Sequence, residues 1–265
     1  MFKRGAVAVS AAILLGVVVV ASGASASEAR NFSTEQQEAF KRFGLSSSQI
    51  DDIIIDSAMT RDEAIGSDSI VSPEALNNHQ LIKPYLVVIP LVYHGYDNKV
   101  HVGQMVVHQY MVSKVVSLFL TMWKTDFSVQ SVIPGSKFGY NDEFSMQQNN
   151  SSAYRPELGS EHGKGSAIDI NPLINPFDTS AYNGNPVDPP GAHYDPTAKG
   201  ALVLQGPVQK KAAELHLEWG GNWGNPNAVP STDFFRAGYF DYQHFQLGYQ
   251  EYDIFEAQLP PGFVN

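Results

Sequence analysis

The chain contains no cysteine. That absence removes thiol nucleophiles, thiolate metal sites, disulfides and a cysteine-borne lipid anchor. Positive charge is also scarce: 17 Lys and Arg stand against 27 Asp and Glu, for a net charge of −10. Binding to nucleic acid needs clustered cations, so nucleic-acid partners are not expected. After the first 21 residues no apolar run approaches the ~20 residues of a bilayer span. No lysine has a serine three positions before it, and no Gly-x-Ser-x-Gly elbow occurs. Ser-x-x-Lys and elbow-type serine chemistry are thereby excluded. Internal repeats are absent too.

What is present begins with an export signal. Lys3 and Arg4 precede an apolar run from Ala6 to Ala21, and Ala24-Ser25-Ala26 offers a small-x-small cleavage site. This pattern predicts a secretory signal peptide over 1–26. The expectation is a secreted, extracytoplasmic protein, free of the membrane after cleavage. Residues 27–82 read as a helical N-terminal region and linker. "STEQQEAFKRFG" opens on Ser33 and Thr34 and closes at Gly44, and "SSSQIDDIIIDSA" carries Ile50, Ile53 and Ile54 at helical spacing. These could form a small module or pack on the main domain. Residues 63–82 read as a polar connection.

The main domain is expected over 83–265. "YLVVIPLVY" and "KVHVGQMVVH" predict a hairpin turning near Asp97-Asn98. In "YMVSKVVSLFLTMW", Val112, Val115, Val116, Phe119 and Leu120 share a helical face. "FSVQSVI" reads as a strand and 134–165 as a long loop. "SAIDI" reads as a short strand with Asp169 opposite Ile168 and Ile170. Residues 171–200, rich in Pro, Gly and Asn, read as irregular. "PVQKKAAELHL" reads as a helix opened by Pro207, and "YQHFQLGY" as the last strand. The fold class expected is α+β, an antiparallel sheet with flanking helices.

The chemistry gathers around "SEHGKGSAID" and "DYQHFQ". Without thiolates, zinc takes imidazole nitrogen and carboxylate oxygen, and a catalytic site keeps one position open. His162, Asp169 and His244 could supply such a set. Gly163 and Gly165 permit a tight turn between the first two, and Ser166 and Ala167 leave room for close backbone approach. Spacing alone is weak evidence, since a lone His or Asp is more often a surface or capping residue.

The motifs together are more specific. Ser-x-His-x-x-Gly-x-Ala-x-Asp, then "EWGGNW", then "DYQHF" resemble the M15 zinc peptidases, D-alanyl-D-alanine carboxypeptidases and L-alanyl-D-glutamate endopeptidases of bacterial peptidoglycan. The likeness spans roughly 83–250 and takes in "HVGQMVVH", "SMQQNNSSAYR" and "DINPLINPF". It implies an M15 / hedgehog-like zinc peptidase domain, with Zn²⁺ as cofactor and peptidoglycan peptides as partners. It also implies His162, Asp169 and His244 as zinc ligands, Asp241 as general base, and Arg155 and Ser160 as substrate-binding residues. For Arg155 the alternative is an ordinary salt bridge to Glu157 or Glu161. For the base, Glu218 is the alternative to Asp241. A non-catalytic zinc module that binds cell wall is the rival function. Three features depart from the family pattern: Asn222 where an Asp is usual, Tyr154 where a Cys is common, and a lengthened stretch at 224–240. His94, His101 and His108 recur every seven residues, and hairpin histidines are a better reading there than a second metal site. Trp219 and Trp223 are expected to wall the pocket.

Overall fold

The long hairpin is the organising element of the computed structural model, which describes residues 30–227 and 235–264. The signal-peptide segment expected at 1–26 lies outside the described residues, as does part of the 224–240 stretch. In chain order the helices are α1 (Thr34–Phe43), α2 (Ser47–Asp52), α3 (Arg61–Ile65), α4 (Leu76–Ile82), α5 (Val112–Lys124), α6 (Asp142–Gln147), α7 (Ser180–Asn183), α8 (Pro207–Glu214) and α9 (Tyr249–Glu256). The strands are β1 (Ile54–Ile55), β2 (Leu86–His94), β3 (Val100–His108), β4 (Ser131–Val132), β5 (Asn150–Ser151), β6 (Ala167–Asp169), β7 (Phe177–Asp178), β8 (Leu217–Trp219), β9 (Phe240–Asp241) and β10 (His244–Leu247). None of the helices among the described residues is long and apolar enough to cross a membrane.

Strands β2 and β3 pair in register from Leu86–His108 to His94–Val100. Asn98 takes a positive φ of 62° at the turn, a conformation asparagine tolerates well. Helix α5 packs on β2 and α8. It buries Val115, Val116, Leu118, Phe119 and Met122, the stripe that a 3.6-residue period produces. Each such side chain contributes about 1.5–3 kcal/mol when fully buried. The N-terminal helices share this core: Phe40 and Phe43 of α1, and Ile53, lie in the same apolar cluster as Leu91, Phe119 and Phe245. Residues 32–265 form one compact unit, so the helices of 33–62 are packed on the main body.

The architecture is mixed α/β, and where the sequence predicts one antiparallel sheet the described residues form four small sheets. The first has order β1-β3-β2, with β1 parallel to β3. The second, β6-β10-β8, is antiparallel and carries the chemistry. The second helix of the N-terminal region stops at Asp52, because the β-branched run Ile53–Ile55 extends and pairs with His101 and Val102. The polar 63–82 connection contains α4 and a 3₁₀ turn. Helix α3, opened at Thr60 and Glu63 by a reciprocal capping box, runs into its start. The 134–165 loop contains α6, capped by Asn141, and β5. "FSVQSVI" pairs as a strand at Ser131–Val132 and makes one isolated bridge from Ser128 to His94. The segment 171–200 is largely irregular, as expected. Its backbone hangs on buried Asn171 and Asn175, whose amides donate to the carbonyls of Ser128, Ile170 and Gly200.

Candidate metal centre and active site

Strand β10 sits centrally in its sheet, with β6 and β8 on either side. Phe245 faces Ile168 and Trp219 across the ladder, and all three are buried in the core. Alternation sends His244 to the other face, directly opposite Asp169. The third member comes from a turn. Ser160 Oγ accepts from the His162 N–H at 3.2 Å, and the Gly163 N–H donates to the Ser160 carbonyl at 3.0 Å. A Cβ on Gly163 would lie 2.0 Å from the Glu157 carbonyl oxygen. Only glycine lets the turn pass that close.

The three side chains converge. His162 Nε2 lies 3.1 Å from Asp169 Oδ2, His244 Nδ1 lies 3.1 Å from Asp169 Oδ1, and the two ring nitrogens are 3.2 Å apart. All three residues are buried. The distal ring nitrogens are committed elsewhere. His162 Nδ1–H donates to the Ala153 carbonyl at 2.7 Å, and His244 Nε2–H donates to Gln246 Oε1 at 3.0 Å. Those bonds fix the tautomers, so His162 Nε2 and His244 Nδ1 present lone pairs to the same point as the carboxylate.

This donor set fits a divalent metal. Two imidazoles and one carboxylate match the three protein ligands of a catalytic zinc site. The electrostatics agree. Burial alone would raise the Asp169 carboxyl, but His162 and His244 outweigh it and hold it well below the usual carboxylate range. Burial alone would lower His244, but Asp169 and Asp241 raise it to about 9. Without another cation the site thus draws a proton onto His244, and a metal ion would displace it.

Asp241 lies on β9, and Gly220 is what admits it. A Cβ on Gly220 would meet the Asp241 carbonyl oxygen at 2.4 Å and its Cβ at 2.8 Å. The Asp241 Oδ1 atom is buried and accepts no hydrogen bond. Burial pushes the carboxyl up to about 7, against the opposing pull of His244 and Arg155. That is the pKa range suited to a general base at neutral pH. Glu218 stands across from Gln246 on β8, two rungs away from the His244–Asp169 pair.

Arg155 is brought to the site and lies among three carboxylates. Its Nη1 lies 3.1 Å from Asp169 Oδ2 and 3.2 Å from Asp142 Oδ1, and its Nε lies 2.9 Å from Glu157 Oε1. The salt-bridge alternative is therefore present through Glu157, while Glu161 pairs with Lys164 instead. Ser160 spends its hydroxyl on the His162 backbone. Trp223 packs its ring 5.4 Å from that of His244, and Asn222 is buried beside it. His94, His101 and His108 do not converge: His94 stacks on Trp123, His101 pairs with Asp56 and Asp97, and His108 stacks on Tyr85. Among the described residues, His162, Asp169 and His244 form the one group placed to hold a metal.

Three participants escaped the sequence reading. Gln246 had a signal, its period-two relation to His244 on the same strand face. Asp142 had none, because it reaches Arg155 from α6 across an irregular stretch. The Ala153 carbonyl is a backbone group and carries no side-chain signature.

Residues 154–247 match the family model described as D-alanyl-D-alanine carboxypeptidase, of the M15 peptidases. The match covers somewhat over a third of the chain and includes all three metal-site residues, Arg155 and Asp241. Through this segment the chain is similar to the M15 peptidases. The matched segment is narrower than the 83–250 likeness read from the motifs, and leaves the β2–β3 hairpin and α9 outside it. Neither a curated protein nor a solved structure matches the chain.

Proposed function

We propose that this chain is a secreted zinc-dependent peptidase that hydrolyses peptidoglycan stem peptides, with D-alanyl-D-alanine carboxypeptidase as the first reading. The observation that carries it is the convergence of His162 Nε2, His244 Nδ1 and the Asp169 carboxylate, with an unpartnered Asp241 oxygen buried nearby. Bound by those three residues, a zinc ion would supply Lewis-acid activation of water and of the scissile carbonyl. The rest falls to the chain. Asp241 takes the proton from the attacking water and delivers it to the leaving amine, so that one water is consumed and one amide bond is replaced by an acid and an amine. Gln246 and the Ala153 carbonyl keep both imidazoles in the required tautomer. Trp223 and Asn222 close the His244 side against bulk water.

A second reading has one observation in its favour. Arg155 is already engaged by Asp142, Glu157 and Asp169. A substrate C-terminal carboxylate would have to compete with them for it. An L-alanyl-D-glutamate or other endopeptidase needs no such carboxylate. The unpartnered Asp241 oxygen speaks against a third reading, a non-catalytic wall-binding module, because binding alone needs no base.

The test is to incubate the zinc-loaded protein with a pentapeptide stem and with intact peptidoglycan, and to analyse the products by mass spectrometry. Release of D-alanine from the pentapeptide supports the carboxypeptidase reading. Cleavage of longer or crosslinked stems without free D-alanine selects the endopeptidase. No cleavage of either substrate overturns the peptidase assignment.

A further inference from the structure

We propose that Lys164 is a positioning residue for the metal centre, a strut through which α9 fixes the turn that carries His162. The inference rests on reading His162, Asp169 and His244 as metal ligands, and names a residue that this reading leaves out.

Lysine is almost never fully buried unless it is paired, and Lys164 is 3% exposed. Its ammonium group has three donors. All three are used: Glu161 Oε1 at 2.9 Å, Glu256 Oε1 at 2.8 Å and the Tyr252 hydroxyl at 2.6 Å. The Tyr252 ring adds a cation–π contact, with its centroid 4.8 Å from Nζ. The second Glu161 oxygen accepts from Ser166 Oγ at 2.6 Å. Burial alone would lower the lysine, but Glu256, Tyr252 and Glu161 raise it above the usual range. A saturated, firmly charged ammonium is no proton-transfer group, so its role is mechanical.

The cage has a particular connectivity. Glu161 and Lys164 flank His162 on its turn. Tyr252 and Glu256 belong to α9, which follows β10 and His244 after the single residue Gly248. The two imidazole ligands come from segments 82 residues apart in sequence. Lys164 ties those segments together a second time, outside the metal site. Metal affinity depends on such outer partners because donor atoms must be held in place before the ion arrives.

A second tether on the same helix supplies the control. Lys114 of α5 lies 2.7 Å from Glu251 Oε2 and donates to the Leu215 carbonyl at 2.7 Å. It holds α9 to the α5 side and touches no ligand-bearing segment.

The experiment measures zinc affinity by competition with a chromophoric chelator, alongside the melting temperature of the metal-free protein, in the full chain. Lys164→Met is expected to weaken zinc binding about 10–100-fold. Lys114→Met is expected to lower the melting temperature while leaving zinc affinity at the wild-type level. Glu256→Gln, which retains the lysine and loosens one arm of the cage, serves if Lys164→Met does not fold, and should give a smaller loss in the same direction. Wild-type affinity in Lys164→Met, or in Glu256→Gln where that variant stands in, overturns the proposal. So does an equal loss in Lys114→Met, which would mark general loosening of α9. Wild-type protein that binds no zinc overturns the metal reading, and the strut with it.

Discussion

His162 Nε2 and His244 Nδ1 face one another at 3.2 Å, each with its other nitrogen bound to an oxygen that can only accept. With both distal nitrogens protonated, the two facing nitrogens and the buried carboxylate need a shared cation, either the proton drawn onto His244 or a metal ion that displaces it. The purified protein is therefore expected to hold about one zinc per chain. His162→Ala and His244→Ala should each lose most of it, as read by elemental analysis after desalting. Full zinc retention in both variants would rule out this ligand set.

Asp241 and Glu218 can be separated by their amides. Asp241→Asn keeps the shape of the side chain but cannot take a proton. It should retain zinc and lose on the order of 10²-fold or more in kcat. Glu218→Gln should lose much less, since Glu218 stands two rungs away from the His244–Asp169 pair. The reverse ranking, measured on the same stem peptide with zinc content checked, would exchange their roles.

Arg155 is treated by the structure as a partner of carboxylates. Removing it in Arg155→Met leaves Asp142 and Asp169 facing each other without a cation between them. Breaking a buried pair in this way costs about 3–5 kcal/mol. Chemical denaturation of the metal-free protein should show a loss of that order. If stability is unchanged while KM for a free-carboxylate substrate rises, Arg155 serves the substrate instead.

His108 gives a pH signature that does not involve the proposed metal ligands. Its Nδ1 accepts from the Tyr110 N–H at 3.2 Å, its Nε2 is buried without a partner, and its ring meets Tyr85 and Phe255. Burial lowers its pKa from 6.5 to about 4. Between those values the unfolded chain binds the proton and the folded chain does not. The contribution is whole above pH 6.5 and is lost as the pH falls towards 4. Thermal melts across that window should show a shallower acid slope in His108→Phe than in wild type. Parallel slopes would mean that His108 is already protonated, or that it titrates normally.

The sequence was legible where one residue type has one physical use. The hairpin, α5 and α8 followed from periodicity and capping, and the ordered motifs taken together, more than their spacing, pointed to the donors that converge. The reading failed where tertiary pairing decides. Ile54 and Ile55 fit a helix face as well as a strand, and only the edge of β3 chooses between them. The partners that Ser160 and Arg155 find at the site were not legible either. The motif drew both into it, but their hydrogen-bond partners, the His162 N–H and the Asp142 and Asp169 carboxylates, are set by the folded turn and by α6. Lys164 sits three residues after Glu161, a spacing that signals a local pair. The half of its cage that lies on α9 had no local signal.

The His244–Asp169 rung has a bearing on how the chain assembles. Side chains alternate faces along a strand, so a slip of one residue between β6 and β10 would turn His244 into the apolar core and bring Phe245 to the ligand side. A chain with that error could not grip the ion, however well the rest had condensed. If the chain takes up zinc as proposed, uptake during refolding would report strand alignment: the fraction of molecules that captures zinc would be the fraction that has paired these two strands in the native register.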